Sequence, residues 1–450
     1  HLLLNTMTAI FAGVTTKKAM LLRVIVQNFL SFFEPVQFDM FPNMKKETFE
    51  SHIYRNQQIP VIKQAALFGP NGSGKSNFVK AVNFIQSIAT QKNFLEKINI
   101  SKYFFRLTES NNQPISMAIE FCKDEQYFIY IIDILPTHIE KEELYLSGLG
   151  KEDNKLVYSR TKEGVSLPKM PEGTLLEAIK KMIISNPLSS LLVLNNEFPI
   201  IEDELAKTAF QWFNNDLEVV SINTTAPGLI DLMSRNEEIL QFTNNIFSEI
   251  GIGINKVKVQ SEPLDQWLTH TDDNNKSDLT KHLEQSLTKE NEIITRMQHK
   301  KNLFTISIED GIKTVKEFIF EQLGKNGYVG EMDILAQSDG TVRLLTLIPA
   351  IYDAISKGKT VVIDEIDNSI HPKLMYALIE YYSHVQTTGQ LIYTTHEMSL
   401  LDQQNLLRPD EIWLTEKKDG ATNMYSLNEF KLHNTISIEK GYREGRYGAT

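Results

Sequence analysis

The sequence predicts an α/β fold: a mixed sheet with flanking helices, assembled from two separated parts of the chain. The apolar segment 61–68 leads into a glycine-rich turn and then into a helical pattern over 75–90. After about residue 330, strands and helices alternate, which is typical of a parallel sheet. Helical periodicity dominates from about 170 to 330, so we expect a mostly helical insertion between the two halves.

The N-terminal half begins with residues 20–40, where apolar and polar side chains alternate and predict one or two strands. Residues 115–135 alternate in the same way, so we expect a hairpin with its turn at Lys123-Asp124-Glu125. Apolar residues recur at helical spacing within the expected insertion. The predicted helices there are 175–184, 201–213, 234–250 and 279–298.

The C-terminal half is predicted to contain two helices, 338–354 and 372–384, and two strands, 360–363 and 391–394. These patterns divide the chain into four parts. Residues 1–19 are an upstream extension or a remnant of cloning, and residues 20–150 are the first half of the domain. Residues 151–330 are the insertion, and residues 331–450 are the second half.

Length and composition exclude several classes of protein. At 450 residues, the chain suits two or three units, or one domain with a large insertion. The net charge of −11 disfavours a general polyanion binder, since phosphate binding depends on clustered Lys and Arg. The single cysteine, Cys122, excludes an internal disulfide and a Cys-rich zinc site, and favours packing in a reducing cytoplasm. No apolar run reaches the ~18 residues of a membrane helix.

A complete phosphate-loop motif, G-x-x-x-x-G-K-[ST], lies between the predicted strand 61–68 and the predicted helix 75–90. Its glycines let backbone N–H groups point at phosphate oxygens, and the helix N-terminus adds its dipole. We expect Lys75 to reach the β and γ phosphates and Ser76 to be a ligand of Mg²⁺. The predicted nucleotide-binding residues are Gly69, Pro70, Asn71, Gly72, Ser73, Gly74, Lys75, Ser76 and Asn77. ATP is favoured over GTP because no guanine-reading element is visible.

Two carboxylates, Asp364 and Glu365, follow the predicted strand 360–363. Asp364 is expected to hold Mg²⁺ through water, and Glu365 to orient or deprotonate an attacking water. An acidic turn after a strand is common in isolation. Together with an intact phosphate loop in the same chain, it favours a role in nucleotide chemistry. The other predicted catalytic residues are Lys75 and His396.

Three further segments resemble motifs of ABC-type ATPases. The segment 336–341 resembles their signature, with Ser338 and Gly340 at its serine and glycine and Asp339 between them. Ser338 is also placed to cap the predicted helix, and an ordinary N-cap is the simpler alternative. His396 stands where their switch histidine follows a strand, although a lone histidine is more often structural. His371, in a segment like their D-loop, is the weaker candidate and is interpreted as a packing or interface residue.

Together these motifs resemble soluble ABC-type P-loop ATPases related to the RecF, SMC and OLD proteins. Within that group, the resemblance is to ATPases of bacterial phage-defence and abortive-infection operons. It is weak across about 140–330. The residues that carry it lie in 22–32, 69–77, 338–345, 361–372, 393–397 and 441–449.

The resemblance implies ATP and Mg²⁺ as ligands, hydrolysis of ATP, and a homodimer or higher homo-oligomer. In such assemblies Ser338, Asp339 and Gly340 of one copy complete the site built on Lys75 of another. In phage-defence systems the ATPase acts as a sensor or scaffold, and it holds or releases a separate effector, such as a toxin or a TOPRIM nuclease. A phage-encoded trigger protein is the other implied partner.

The alternative hypothesis is a DNA-repair or DNA-maintenance ATPase of the RecF or SMC kind. The acidic charge and the lack of sustained heptads disfavour it. A local basic patch stays open, formed by Lys17, Lys18, Arg23, Lys45 and Lys46 or by Arg443 and Arg446. A fused nuclease is disfavoured because too few residues follow His396 for another α/β domain of ~100 residues. A transport subunit is disfavoured by the long insertion and the absence of a membrane segment. Gln113 is one candidate for the Q-loop glutamine.

Overall fold

The computed structural model describes residues 19–55, 58–108, 112–162, 164–168, 173–197, 204–222, 224, 228–270, 293–298, 301–402, 404–430 and 437–449. Two compact units share the chain. The first is formed by His1–Ile222, Asp353–Ile366 and Glu380–Thr450, and the second by Asn223–Tyr352 and Asp367–Ile379. Predicted segment 1–19 lies outside the described residues except for its last position.

The strands and helices are numbered in chain order. The strands are β1 (Ala19–Gln27), β2 (Val36–Asp39), β3 (Ile53–Tyr54), β4 (Val61–Ile62), β5 (Gln64–Phe68), β6 (Ile115–Lys123), β7 (Gln126–Leu135), β8 (His138–Leu146), β9 (Lys155–Thr161), β10 (Gly164–Ser166), β11 (Leu217–Val220), β12 (Ile254–Pro263), β13 (Ile293–Gln298), β14 (Lys301–Glu309), β15 (Ile312–Leu323), β16 (Val329–Met332), β17 (Thr360–Ile363), β18 (Gln390–Thr394), β19 (Ile412–Lys418) and β20 (Ala421–Ser426). The helices are α1 (Lys75–Thr90), α2 (Phe94–Lys97), α3 (Thr174–Ser185), α4 (Leu191–Glu197), α5 (Glu204–Gln211), α6 (Leu229–Arg235), α7 (Glu237–Glu249), α8 (Leu264–His270), α9 (Asp339–Ser356), α10 (Pro372–His384) and α11 (Ile438–Arg443). None of these helices, as far as the chain is described, is long and apolar enough to span a bilayer.

A six-stranded sheet in the first unit has the order β11-β17-β18-β5-β19-β20, and its pairs are parallel except the last. All five residues of β5 are buried, as expected for a central strand with both faces covered. The carboxyl ends of β17, β18 and β5 therefore meet at one edge of the sheet, where α/β proteins bind ligands. The prediction of a mixed α/β fold is confirmed.

The other large sheet of the first unit is antiparallel, with the order β10-β9-β8-β7-β6-β1-β2. The hairpin β6–β7 confirms the prediction for 115–135. Its turn residues, Asp124 and Glu125, have φ angles of 51° and 65°, which is the backbone of a two-residue primed turn. Cys122 is buried on β6, in agreement with a packing role.

The second unit contains a sheet that the sequence analysis did not predict, with the order β12-β15-β14-β13 and β16 paired to β15. The predicted helix 279–298 is wrong at its C-terminal end, because 293–298 form β13; residues 279–292 lie outside the described part. The β-branched Ile293, Ile294 and Thr295 pair with β14, so strand propensity decides there. Over its described residues, the insertion 151–330 combines helices with strands, and the expectation that it is mostly helical is wrong there.

At the amino end of β5, opposite the ligand edge, a cluster of charged side chains is buried. Lys63 is only 2% exposed, and its Nζ donates to the carbonyls of Ser383 (2.5 Å) and Val385 (3.3 Å). His52 Nδ1 lies 2.9 Å from Glu411 Oε1, also within the interior. Burial lowers the pKa of Lys63 to about 8, and the negative charge of Glu411 offsets part of this shift.

We expect Lys63 to make the stability of the fold depend on pH. Its pKa is about 8 when folded and near 10.5 when unfolded, so the unfolded chain binds more protons between these values. The free energy of unfolding should therefore gain a contribution that rises from pH 8 to pH 10.5. The measurement is urea unfolding of wild type and Lys63→Met across this range. The stability advantage of wild type over the variant should grow with pH.

The matched control is Lys92→Met, because the Lys92 side chain is 62% exposed. Its stability should run parallel to that of wild type over the same range. Parallel curves for Lys63→Met as well would contradict a buried, easily neutralised amine at this position.

Candidate functional site

The phosphate loop connects β5 to α1, as the motif predicts. Gly72 and Gly74 have φ angles of 77° and 114°, a backbone that glycine adopts at little cost. Lys75 is the first residue of α1 and is buried, whereas Asn71 and Gly72 are exposed. A Cβ on Gly72 would meet no atom within 4 Å, so the loop is open there. This arrangement fits a bound phosphate chain.

The Lys75 amino group lies over the first residues of the loop. Its Nζ donates to the carbonyls of Gly69 (2.6 Å) and Pro70 (3.1 Å), and it lies 3.4 Å from Nδ1 of His396. His396 is exposed and follows β18, whose end is tied to β5 by a hydrogen bond from Thr395 N to Leu67 O (3.1 Å). The structure therefore brings together Lys75 and His396, which are far apart in sequence.

The two carboxylates follow β17, on the other side of β18. Thr394 Oγ1 donates to Asp364 Oδ1 (2.7 Å) and accepts from the backbone N–H of Glu365 (2.7 Å). Asp364 is buried, and Glu365 has a φ of 46°, a left-handed backbone that costs a non-glycine residue energy. Such strained positions cluster at functional sites, and here a single threonine holds both acidic residues.

Asp364 and Ser76 are the residues that could hold Mg²⁺. Ser76 is half-buried in the first turn of α1. Across the described residues, no group of three or more His, Cys, Asp or Glu side chains is arranged around a metal position. Mg²⁺ commonly takes one or two protein ligands and completes its shell with phosphate oxygens and water, which suits the residues present.

The predicted signature segment lies in the second unit. Ser338 is exposed, and its Oγ accepts from the backbone N–H of Thr341 (3.1 Å), so the predicted cap of α9 is confirmed. A Cβ on Gly340 would lie 2.5 Å from the carbonyl oxygen of Ser369, so close backbone packing requires glycine there. Asp339, the first residue of α9, is exposed beside Ser338.

The weaker candidates have simpler contacts. His371 is exposed, and its Nδ1 accepts from the backbone N–H of Lys373 (3.2 Å), which satisfies a donor at the start of α10. Gln113 is exposed before β6, and its Oε1 accepts from Gln27 Nε2 (3.4 Å). Its assignment to a Q-loop stays a prediction.

Three hydroxyl residues near the loop were not predicted from the sequence. Thr415 and Thr422 contact Ser73 of the loop, and Ser31 contacts Thr422 and Asn77. Asn77 donates through Nδ2 to Ser31 Oγ (2.8 Å), and its role in binding nucleotide stays a prediction. Ser31 falls within the segment 22–32 that carries the family resemblance, which is the one signal that could have singled it out. The two threonines belong to β19 and β20, and their contacts depend on pairing between distant segments.

Solved structures similar to this chain include SMC head domains, at low identity. One is the SMC head domain from Thermotoga maritima, with 12% identity, a TM-score of 0.40, and 92% of this chain and 99% of that chain covered. Another is an Smc head domain with an extended coiled coil bound to the C-terminal domain of ScpA, from Pyrococcus furiosus. It has 15% identity, a TM-score of 0.42, and 95% and 99% of the two chains covered. A search of curated proteins finds no match.

A protein-family comparison matches more than half of the chain, in two segments that flank part of the insertion. The matched residues are 65–168 and 229–402, and they include the phosphate loop, the signature segment, both carboxylates and His396. The family is described as "AAA domain, putative AbiEii toxin, Type IV TA system". The chain belongs to this AAA-domain family.

Proposed function

We propose that this chain binds ATP with Mg²⁺ and hydrolyses it to ADP and phosphate. The observation that carries the proposal is the meeting of Lys75 and His396 at the phosphate loop, 3.4 Å apart. Asp364 and Glu365 follow β17, which pairs with β18. A lysine on the phosphates, a carboxylate for Mg²⁺ and a group that positions the attacking water are the parts that P-loop NTPases use.

Each residue then has a distinct part in the reaction. The loop N–H groups and Lys75 bind and orient the phosphates. Ser76, and Asp364 through water, would hold Mg²⁺, which would supply positive charge against the phosphate oxygens. Glu365 accepts a proton from the attacking water while the water oxygen bonds to the γ phosphorus. The bond between the γ phosphorus and the bridging oxygen of the β phosphate breaks, and ADP leaves. His396 contacts the γ-phosphate and responds to its loss. Thr394 positions the Asp364 carboxylate and the backbone of Glu365 through the contacts described above.

We also propose that the chain works as a homodimer or higher homo-oligomer. Ser338, Asp339 and Gly340 of one copy would face the phosphate loop of another, because the exposed start of α9 offers N–H groups and the Ser338 hydroxyl to a γ-phosphate. ATP then favours the assembled state through contacts with both copies, and hydrolysis removes that preference.

The biological setting that we propose is a bacterial anti-phage defence system, in the cytoplasm. The family description, which names a toxin of a type IV toxin–antitoxin system, and the resemblance to defence ATPases support it. The sequence resembles in particular the ATPase of the PARIS (phage anti-restriction-induced) system. In this proposal the assembly is a sensor that holds a separate effector, such as a TOPRIM nuclease, and a phage-encoded protein triggers its release.

Nucleic acid is the less favoured partner because the chain is acidic overall and the three candidate arginines are each near a carboxylate. Arg443 binds Glu439 at 2.7 Å, and Arg446 binds Glu444 at 2.6 Å. Arg23 lies 3.9 Å from Glu120 and over the Phe41 ring. Paired charges of this kind leave little net positive potential for a phosphate backbone.

We expect Glu365→Gln to bind ATP but to hydrolyse it about 10²- to 10⁴-fold more slowly, the usual loss when a general base is removed. The variant should accumulate as an ATP-bound dimer or higher oligomer, which size-exclusion chromatography with light scattering detects. Lys75→Ala is the companion variant and should lose ATP binding itself. Hydrolysis by Glu365→Gln at the wild-type rate would sink the assignment.

A subunit-mixing experiment tests the shared site. Ser338→Arg and Lys75→Ala should each be inactive alone, because each damages every site of its own oligomer. Mixed together, they form assemblies in which an intact Lys75 faces an intact Ser338, so ATPase activity should return. If the mixture stays as inactive as its components, each site is complete within one copy and the proposed arrangement is wrong.

A further inference from the structure

We propose that Ser31, Thr415 and Thr422 are positioning residues of the phosphate loop, and that the hairpin β19–β20 sets the shape of the loop. This inference rests on the proposed binding of ATP at the loop. It assigns to the C-terminal part of the chain a role in the affinity for the nucleotide. The carrying observation is a pair of hydrogen-bond chains that run across the loop.

The first chain links α1 to the loop through two hydroxyl groups. Thr422 Oγ1 lies 2.7 Å from both the Ser73 carbonyl oxygen and Ser31 Oγ. A carbonyl only accepts, so the single hydroxyl hydrogen of Thr422 goes to Ser73, and Ser31 donates to Thr422. Asn77 Nδ2 in turn donates to Ser31 Oγ. The donors therefore run in one direction, from Asn77 through Ser31 and Thr422 to the loop.

The second chain links the residue before the loop, Phe68, to Ser73 near its end. Thr415 Oγ1 donates to the Phe68 carbonyl (3.1 Å), the last residue of β5 before the loop. Its oxygen lies 2.6 Å from Ser73 Oγ, which must be the donor of that bond because the Thr415 hydrogen is already used. Ser73 is thus held at both its side chain and its carbonyl, each time by a threonine of the same hairpin.

Holding the Ser73 carbonyl fixes the direction of the next N–H group. The peptide unit is planar and trans, so its C=O and N–H bonds point in opposite directions. With the Ser73 carbonyl directed at Thr422, the N–H of Gly74 points away from the hairpin. In a phosphate loop, N–H groups at this position are the ones that bind phosphate oxygens.

Close packing supports the same conclusion. A Cβ built on Gly69 would collide with Thr415, and one built on Gly74 would collide with Thr422. Both threonines are almost completely buried, Thr415 at 0% and Thr422 at 2% exposure. In such an environment, an unsatisfied carbonyl costs more than one that faces water, so the hydroxyl groups matter for loop geometry.

The hairpin is itself locked to the strand that carries the loop. β19 pairs in parallel with β5, with Leu414 opposite Phe68, and β20 pairs antiparallel with β19. The backbone N–H of Thr422 also donates to the Ser31 carbonyl (2.7 Å). A shift of the hairpin would therefore move both threonines relative to Ser73.

The test compares Thr422→Val, which removes the hydroxyl at nearly constant volume, with Thr422→Ser, which keeps it. The probe is a fluorescent ATP analogue with Mg²⁺, together with steady-state ATPase kinetics on the full chain. We expect Thr422→Val to weaken binding and raise KM about tenfold, the usual scale for one buried hydrogen bond, with kcat little changed. Thr422→Ser should restore wild-type KM.

The matched control is Thr360→Val. Thr360 is also fully buried, and its hydroxyl donates to Gln390 Oε1 (3.0 Å) at the amino end of β17, away from the loop. Its loss should lower thermal stability without raising KM. If Thr422→Val fails to fold, Ser31→Ala decides instead, because it breaks the same chain and should raise KM similarly.

Two outcomes overturn the inference in distinguishable ways. If wild type binds ATP, Lys75→Ala does not, and Thr422→Val or Ser31→Ala binds as tightly as wild type, the positioning role is wrong and the proposed function stands. If wild type binds the analogue no better than Lys75→Ala, the proposed function fails, and the positioning role fails with it.

Discussion

The parallel pairing of β18 with β17 on one side and β5 on the other is the constraint on which the candidate site depends. It brings the ends of three strands to one edge of a sheet, although their residues come from opposite ends of the sequence. Thr394, the last residue of β18, then bonds to Asp364 and to the backbone of Glu365. The next residues lead to His396 beside Lys75. The expected insertion 151–330 also contributes to this sheet, because residues 217–220 form β11, which pairs with β17.

The opposite end of the same sheet is polar in a different way. There the charged groups are buried and satisfied internally: Lys63 by backbone carbonyls, and Glu411 by His52 and the backbone N–H of Arg408. Burial raises the pKa of Glu411, which the contacts from His52 partly oppose. Removing one member of such a buried pair would leave the other charge uncompensated, so each group depends on the position of its partner. The amino end of β5 therefore holds buried charged groups that bond to internal partners, while the carboxyl end presents exposed groups such as His396.

Local signals were enough to predict most of the candidate site. The loop, the carboxylates after β17, and the cap at Ser338 each lie in a short stretch whose pattern carries its own meaning. The sheet of the second unit was not predicted, because 293–298 carry apolar residues that suit either a helix or a strand, and only pairing with β14 decides. Thr415 and Thr422 were missed for a related reason. Their importance depends on the register of β19 against β5, which no window of sequence contains.

The backbone of Glu365 has a consequence for how this chain can change over generations. A left-handed conformation is tolerated best by glycine and next by asparagine, so most replacements that relax this residue would discard its carboxylate. Selection for fold stability alone would favour glycine or asparagine over glutamate at this position. Glutamate therefore stands here against the preference of its own backbone, and a replacement by glycine would relax the backbone while removing the carboxylate.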